Sequence, residues 1–490
     1  MHTAVWTREL KHWLERRAHD LGFDLVGIAP VEGCEDPLEA LDAARFEGWI
    51  EAGRAGEMDY LKRRNQAGLL LRSSPKVPQP SANSVIVCAM NYNAAEPLST
   101  APAAPTAGWI ARYAWSGQPA RRESLQAPTP PTSPAPLTSP SPSNSSPSRQ
   151  SSAPDASLDP ADYHQILLLR LQQLARELGH QTGAESTCFV DTGPLVERSL
   201  AARAGIGWIG KNTCVLNQSQ GSWLLLGTIV SSLHLPPDAA ALPAADLCGS
   251  CTRCLDACPT GALTAPREMD ASLCIAYLTI EKKGSIPVDL RPLMGRQVFG
   301  CDICQDVCPW NRRAPVSVPQ QMPARRELIN PDLDWLAAMD AATFKRWFAG
   351  SPLERTRRHR LLRNVAIAMG NSADPRYLPR LQAWSATPDA PDTALSGASP
   401  SPPKSVVPPI SVATSTTSSP PDPVLAETAL WAIARIHAAL SRTEPPNGSP
   451  CSPFSPADAT GQTEAPQTSP AIAEPAIPSP VRRLLADPTP

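Results

Sequence analysis

CGSCTRCLDACP, Cys248 to Pro259, and CDICQDVCP, Cys301 to Pro309, decide how this chain is read. The first run is spaced C-x2-C-x2-C-x3-C-P and the second C-x2-C-x3-C-P, with Cys274 between them. An iron–sulfur cube needs thiolates on several corners, and a tight C-x2-C-x2-C loop supplies three from one wrapped backbone. The cysteine before proline points away and ligates the other cube. Cys248, Cys251 and Cys254 thus take Cys308 as their fourth ligand. Cys258, Cys301 and Cys304 form the second set, completed by Cys274. The expectation is two [4Fe–4S] clusters, cross-wired and close together, as electron hopping requires. Zinc also uses C-x2-C pairs, but its motifs seldom carry three cysteines at x2 spacing followed by x3-C-P. Cys34, Cys88, Cys188 and Cys214 are isolated and read as small buried apolar residues. Cys451 falls in a C-terminal tail.

Outward from the cysteines, composition divides the 490 residues. The 57 prolines concentrate in tracts rich in Ser, Thr and Ala, about 117–159, about 385–423, and from about 441 onward. Such tracts bury too little apolar surface to offset chain entropy and are expected to be disordered. That leaves roughly 350 residues, ample for a large core. The formal charge of −2 shows no global basic bias, so a nucleic-acid partner is neither indicated nor excluded by charge. Met1 to Gly22 lacks the apolar core of a signal peptide, and no later run reads as long enough to span a membrane. A soluble cytoplasmic protein is expected, in which thirteen cysteines read as metal ligands, not as a disulfide framework.

Residues 6–22 read as an amphipathic helix ending at Gly22. FDLVGIA (Phe23 to Ala29) and SVIVCAM (Ser84 to Met90) read as buried strands, with a helix over Leu38 to Ala52 between them. This alternation favours an α/β domain. Helical periodicity returns in Tyr163 to Gly179. CFV (Cys188 to Val190) and Ser222 to Leu233 read as further strands. Helical segments follow the cysteines: Asp332 to Phe348, Arg357 to Met369 and Ala426 to Ile436. The fold class is therefore α+β and multidomain: an α/β domain over 1–240 interrupted by the 117–159 insertion, a ferredoxin-like two-cluster domain over 241–315, a helical, HEAT-like module over 316–440 interrupted at 385–423, and a tail, 441–490. Because ordered sequence flanks the first tract, it is a surface-loop insertion, which loop-closure entropy tolerates.

A two-cluster ferredoxin needs only about sixty residues of this kind, so the larger domain holds a cofactor and a substrate. Its most informative stretch is FVDTGPLVERSLAARAGIGWIGKNTCVLN, Phe189 to Asn217. Asp191 sits just past a strand end, where carboxylates face clefts. Gly205, Gly207 and Gly210 let backbone approach a ligand. The plainer alternatives are a capping aspartate and glycines serving turns.

VDTGPLVER, AGIGWIGKN, the eight-cysteine array, CIAYLTIE and GCDICQDVCPWN together resemble the epoxyqueuosine reductases. The resemblance extends from GFDLVGIA through GEMDYL and ARYAW to LLRNVAIAMGN and ALWAIARI, nearly all the sequence outside the proline-rich tracts. It implies a base-off cobalamin held between the α/β and ferredoxin-like domains, reduced through the clusters to cob(I)alamin. That nucleophile attacks the epoxide of a modified base at the wobble position of tRNA, the last step of queuosine synthesis. Asp191 matches the family's proton donor, a role that desolvation beside an apolar face would favour. Arg63 in GEMDYLKRR is implied to reach the cofactor's tail; Val215, Asn217, Leu226 and Ile275 to line the corrin; Lys282 and Ser285 to touch cofactor or RNA. For each apolar position, core packing is the alternative.

The proline-rich insertion separates RYAW (Arg112 to Trp115) from Asp162-Tyr163-His164, which the family has in one segment, so the pocket geometry there is open. ERTRRHRLLRN, Glu354 to Asn364, gathers five arginines and His359: the solvated face of a helix on charge alone, a phosphate-contacting patch if tRNA binds. An external donor of the flavodoxin or ferredoxin type and a monomeric state are expected. Two other readings compete, a corrinoid iron–sulfur reductase of a small molecule and a two-cluster electron-transfer protein in which Asp191 is scaffold.

Overall fold

The computed structural model describes residues 5–32, 36–119, 158–235, 244–316, 322–386 and 422–443. Helix α1 (Arg8–Asp20) starts at Thr7, whose hydroxyl accepts from the Leu10 N–H. It ends at Gly22, which takes the left-handed conformation at φ +86°. Strand β1 (Leu25–Pro30) follows, then α2 (Pro37–Glu51), capped by Asp36. Strand β2 (Ser84–Asn91) is buried at all eight positions. Short strands β3 (Trp109–Ile110), β4 (Gly117–Pro119) and β5 (Leu158–Pro160) come next. Helix α3 (Tyr163–Thr182), β6 (Ser186–Phe189), α4 (Glu197–Arg203), β7 (Trp208–Ile209), β8 (Val215–Leu216) and β9 (Leu224–Ser231) complete this half.

The main sheet has the order β1-β2-β9-β6, and every pair in it is antiparallel. This corrects the expectation of an alternating α/β arrangement. Ile86, Cys88 and Met90 join one core with α1 and α3 residues such as Leu14, Leu167 and Leu171. Val85, Val87 and Ala89 join another with Leu200, Ala201 and Ala204 at α4. A strand covered on both faces reads as a continuous apolar run whatever its direction. Such runs are most familiar from parallel sheets, hence the misreading.

The insertion springs from a hairpin. β4 and β5 pair antiparallel, Gly117 opposite Pro160, so the chain re-enters beside the point where it left. Tyr113 and Tyr163 meet edge to face at 5.9 Å. The two halves of the interrupted segment are therefore joined in space. The expected limits shrink slightly: residues 117–119 and 158–159 belong to the sheet pair, and 120–157 lie outside the described residues.

In the cysteine-rich region α5 (Arg253–Asp256) and α7 (Ile303–Asp306) each place a cysteine, Cys254 or Cys304, at their second position. Between them lie α6 (Ile275–Ile280), which starts immediately after Cys274, and β10 (Gln297–Phe299). β10 pairs parallel with β3, stitching this region to the first half. Residues 1–443 form one compact unit.

The last helices are α8 (Leu333–Ala337), α9 (Ala341–Phe348), α10 (Arg357–Ser372), α11 (Leu378–Ser385) and α12 (Pro423–Thr443). The single helix read over Asp332 to Phe348 is two, broken at Asp340, which caps α9 by accepting from the Thr343 N–H at 2.7 Å. Residues 423–442 of α12 are long and apolar enough to cross a membrane, contrary to the sequence reading. Here that apolarity serves a core: Ala429, Ala432 and Ile436 pack with Val365, Ala366 and Met369 of α10. Burying Ile436 alone contributes about 2 kcal/mol. A Cβ on Gly370 would stand 2.9 Å from Ala432 Cα, so glycine is what allows α10 and α12 to cross this closely. The expected 441–490 tail lies outside the described residues beyond Thr443.

Candidate active site and cluster region

The array cysteines act on one another's thiols in two groups. Burial raises the Cys308 thiol to about 11, with Cys248 and Cys254 adding to it. Burial also raises Cys254, helped by Cys248 and Cys251. Cys274 is raised by burial and by Cys258, and Cys301 by burial, Cys274 and Cys258. Cys304 is raised by its contact with Cys214, by burial, and by Cys301 and Cys274. The cysteines linked in this way are 248, 251, 254 and 308 on one side and 258, 274, 301 and 304 on the other. Eight thiols in this spacing are a donor set that fits two [4Fe–4S] clusters. Cys214 corrects the sequence reading of it as an isolated apolar residue, because it contacts Cys304.

The second centre lies at the end of β6. Phe189 pairs with Thr228, and continuing this register by two residues brings Asp191 level with Leu226. Leu226 pairs with Ala89, which pairs with Leu25. Leu25, Leu226 and Phe189 are half-buried on one face of the sheet, with Ile209 and Leu224. A partly open apolar wall therefore ends at a carboxylate, a combination that fits the flat apolar face of a corrin.

Asp191 itself has φ +51°, a left-handed conformation that aspartate tolerates better than most residues. Its N–H donates to Glu197 Oε1 at 2.7 Å, which fixes the turn. Its Oδ2 receives the Tyr163 hydroxyl at 3.4 Å and faces His164 Nε2 at 3.1 Å and Arg355 Nη1 at 3.7 Å. His164 is anchored through Nδ1 to Asp162 Oδ1 at 2.5 Å, and Asp162 also caps α3. Arg355 Nη2 lies 2.9 Å from the same His164 Nε2. As neutral imidazole with its proton on Nδ1, His164 accepts from Arg355; as imidazolium it donates to Asp191.

Burial pushes the Asp191 carboxyl up, but the hydrogen bond and charge of His164, with Arg355 and Arg198, outweigh it and hold the group below its ordinary value. The expected proton-carrying form is therefore not the resting one, because the desolvated carboxyl has cationic neighbours. Its side chain is 56% exposed, so it opens to solvent even though protein surrounds it. Glu197 goes the other way, raised to about 7 by burial and by the charge of Asp191. His164 is pulled down by burial, but Asp162 and Asp191 raise it overall. Asp191 caps no helix; α4 begins at Val196 without a side-chain cap.

Residues 247–311 match the 4Fe-4S double cluster binding domain family, and 72–118 match the family described as epoxyqueuosine reductase QueG, DUF1730. Epoxyqueuosine reductase of Pseudomonas aeruginosa is 36% identical over 385 residues, 78% of this chain and 90% of that protein. The chain belongs to the epoxyqueuosine reductase family. The Escherichia coli epoxyqueuosine reductase is 32% identical over 74% of this chain and 81% of its own length. Among solved structures, an epoxyqueuosine reductase with an epoxyqueuosine-modified tRNA-Tyr stem loop superimposes with TM-score 0.64 at 25% identity, covering 89% of this chain and 95% of the other. The Bacillus subtilis epoxyqueuosine reductase, with its catalytic aspartate loop swung out of the active site, gives TM-score 0.62 at 26% identity, covering 87% and 90%.

Other positions carried over from the epoxyqueuosine reductases fall in varied surroundings. Arg63 is exposed. Leu226 is in the apolar wall. Val215 and Ile275, 4% and 2% exposed, are packed in cores, the alternative held open for them. Asn217 is committed to a turn: its Nδ2 donates to Ile206 O, and its Oδ1 accepts from Ser219 and Gln220. Lys282 pairs with Glu57, and Ser285 donates to Glu427 and accepts from Arg291. Gly205 (φ +75°) closes the turn after α4, and a Cβ on Gly207 would meet Leu216 O at 2.0 Å. These glycines accommodate the β7–β8 hairpin, not a ligand.

The arginine run of Glu354–Asn364 is divided. Arg363 is 1% exposed and donates to the carbonyls of Leu278, Lys282 and Gly284. Arg360 donates to Ile280 O. Arg355, Arg357, Arg358 and His359 remain exposed. Sequence reasoning gave no role to His164 and Glu197, and read Arg355 only as one of the arginines in the 354–364 run. DYH and VDTGPLVER carry the first two, but only folding brings Arg355 to them.

Proposed function

We propose that this chain reduces epoxyqueuosine in tRNA to queuosine, with Cys248, Cys251, Cys254 and Cys308 holding one [4Fe–4S] cluster and Cys258, Cys274, Cys301 and Cys304 the other. Two electrons and two protons convert the epoxide to an alkene, and the oxygen leaves as water. The observation that carries this reading is Asp191, ringed by His164, Tyr163 and Arg355 at the rim of an apolar wall. Arg198 acts on both Asp191 and Cys214, which supports a reading with the proton donor near the cysteine-rich region.

Leu25, Leu224 and Leu226 would bear on the apolar face of a cobalamin, and Arg63 would reach its polar tail. That cofactor, when reduced, supplies a strong nucleophile for carbon. The protein's own part is protonic. Asp191 donates to the departing oxygen, and His164, held by Asp162, passes a proton to Asp191 through Nε2. Substrate covering the half-exposed carboxyl expels water, adds to the desolvation that His164 and the arginines outweigh in the open site, and drives the group toward the neutral form. The target base leaves its stack to arrive there, in the cytoplasm, where tRNA is modified. Exposed Arg357 and Arg358 are positioned to meet phosphates.

Nucleoside mass spectrometry on tRNA from a strain lacking this protein tests the assignment. Epoxyqueuosine is expected to accumulate, to disappear with the wild-type gene, and to persist with Asp191→Asn. Loss of a positioned acid slows the single-turnover rate by about 10²–10⁴-fold. Absence of epoxyqueuosine from the deletion strain overturns the activity.

A further inference from the structure

The AGIGWIGKN segment is not absorbed by the chemistry at Asp191, and its glycines do not face a ligand. It builds the β7–β8 hairpin, and the hairpin is fastened to the cysteine-rich region. Lys211 Nζ donates to Gly249 O at 2.6 Å, Arg267 Nε donates to Ile209 O at 3.2 Å, and Asn212 Nδ2 donates to Cys304 O at 3.4 Å. One contact reaches sulfur. The Trp208 indole N–H donates to Cys248 Sγ at 3.4 Å.

Trp208 is 4% exposed. It stands edge to face with Trp310 at 5.2 Å between centroids, and the two indoles enclose Cys248 and Cys308. Indole nitrogen has one donor and no acceptor, so a buried Trp208 has this sulfur as its partner or none. Hydrogen bonds to cluster sulfurs and exclusion of solvent are the protein's main means of setting a cluster's reduction potential. A donor stabilises the extra negative charge of the reduced cube and raises its potential.

We propose that the β7–β8 hairpin raises the potential of the cluster held by Cys248, Cys251, Cys254 and Cys308, by donating the Trp208 indole hydrogen bond to Cys248. That cube takes one electron, from the 2+ to the 1+ state. The inference rests on the two-cluster assignment above. The hairpin follows β6 and α4 along the chain, so the half of the molecule that carries Asp191 adjusts the electron relay of the other half.

The test is a dithionite titration of the anaerobically purified full chain, followed by electron paramagnetic resonance, with iron measured per chain. Trp208→Phe keeps an aromatic ring and removes the donor. It is expected to lower the midpoint of this cluster and leave the other in place. The reduced-to-oxidised ratio at fixed potential should fall about tenfold, the effect of about 1.4 kcal/mol and about 59 mV for one electron. The proposal is overturned if the substitution, with iron retained, leaves this cluster unmoved or moves both clusters equally. If a variant loses iron, pulsed resonance on wild type labelled with ¹⁵N-tryptophan decides: a nitrogen coupling to one reduced cluster supports the proposal, and its absence sinks it. Wild type without any cluster signal would instead refute the two-cluster assignment.

Discussion

Arg355→Gln should move the alkaline limb of the reaction to higher pH. The guanidinium lies 3.7 Å from Asp191 Oδ2, and an isolated pair at that distance gains about 1 kcal/mol in water and about 4–5 kcal/mol at an effective dielectric near 20. The side chains are 41% and 56% exposed, so the low end applies, about 1 kcal/mol or about 0.8 pKa unit. Removing the cation destabilises the carboxylate and raises the Asp191 pKa, so the acid survives to higher pH. The assay is the single-turnover rate against pH with a saturating epoxyqueuosine-containing stem loop. The limb should rise by about 0.8 unit in Arg355→Gln and stay in place in Arg355→Lys, which keeps the charge. Affinity for RNA is measured separately, since an exposed arginine also meets phosphate. A limb that stays where it is in Arg355→Gln, with RNA affinity altered, refutes the account of Arg355 as a control on Asp191.

Glu197→Gln gives a second check through stability. The folded pKa is raised from 4.5 to about 7, so this group's contribution is fully present below the unfolded value and is lost as pH rises through about 7. Wild-type Tm should fall relative to Glu197→Gln between pH 5 and pH 8; parallel curves would refute the shift. Arg363→Met should lower stability by about 3 kcal/mol, because three backbone carbonyls in 278–284 lose a buried donor. Iron should be lost on the Cys274 side first, leaving about four atoms per chain by assay.

The double-cluster region was legible because covalent spacing marks it: C-x2-C-x2-C-x3-C-P gathers four thiols in one short loop before any tertiary contact forms. Asp191 was visible as a residue past a strand end, but its resting charge was not. That charge depends on His164 and on Arg355, 164 positions further along the chain, and local sequence carries no record of such neighbours. Strand direction failed for another reason. SVIVCAM is apolar at every position because α1 and α3 cover one face and α4 the other, which leaves no alternation to distinguish antiparallel from parallel pairing. The arginine run misled in the same way: charge read along a line says nothing of Arg363 turning inward to cap carbonyls. Apolar α12 satisfied a membrane-helix criterion because its small residues serve a close helix crossing.

The pairing of Gly117 with Pro160 has a practical consequence. The two ends of the interruption are clamped a strand's width apart, three residues before Tyr163. A fluorophore or an affinity tag spliced in between them would keep that pairing as its anchor and would sit near the groups gathered around Asp191.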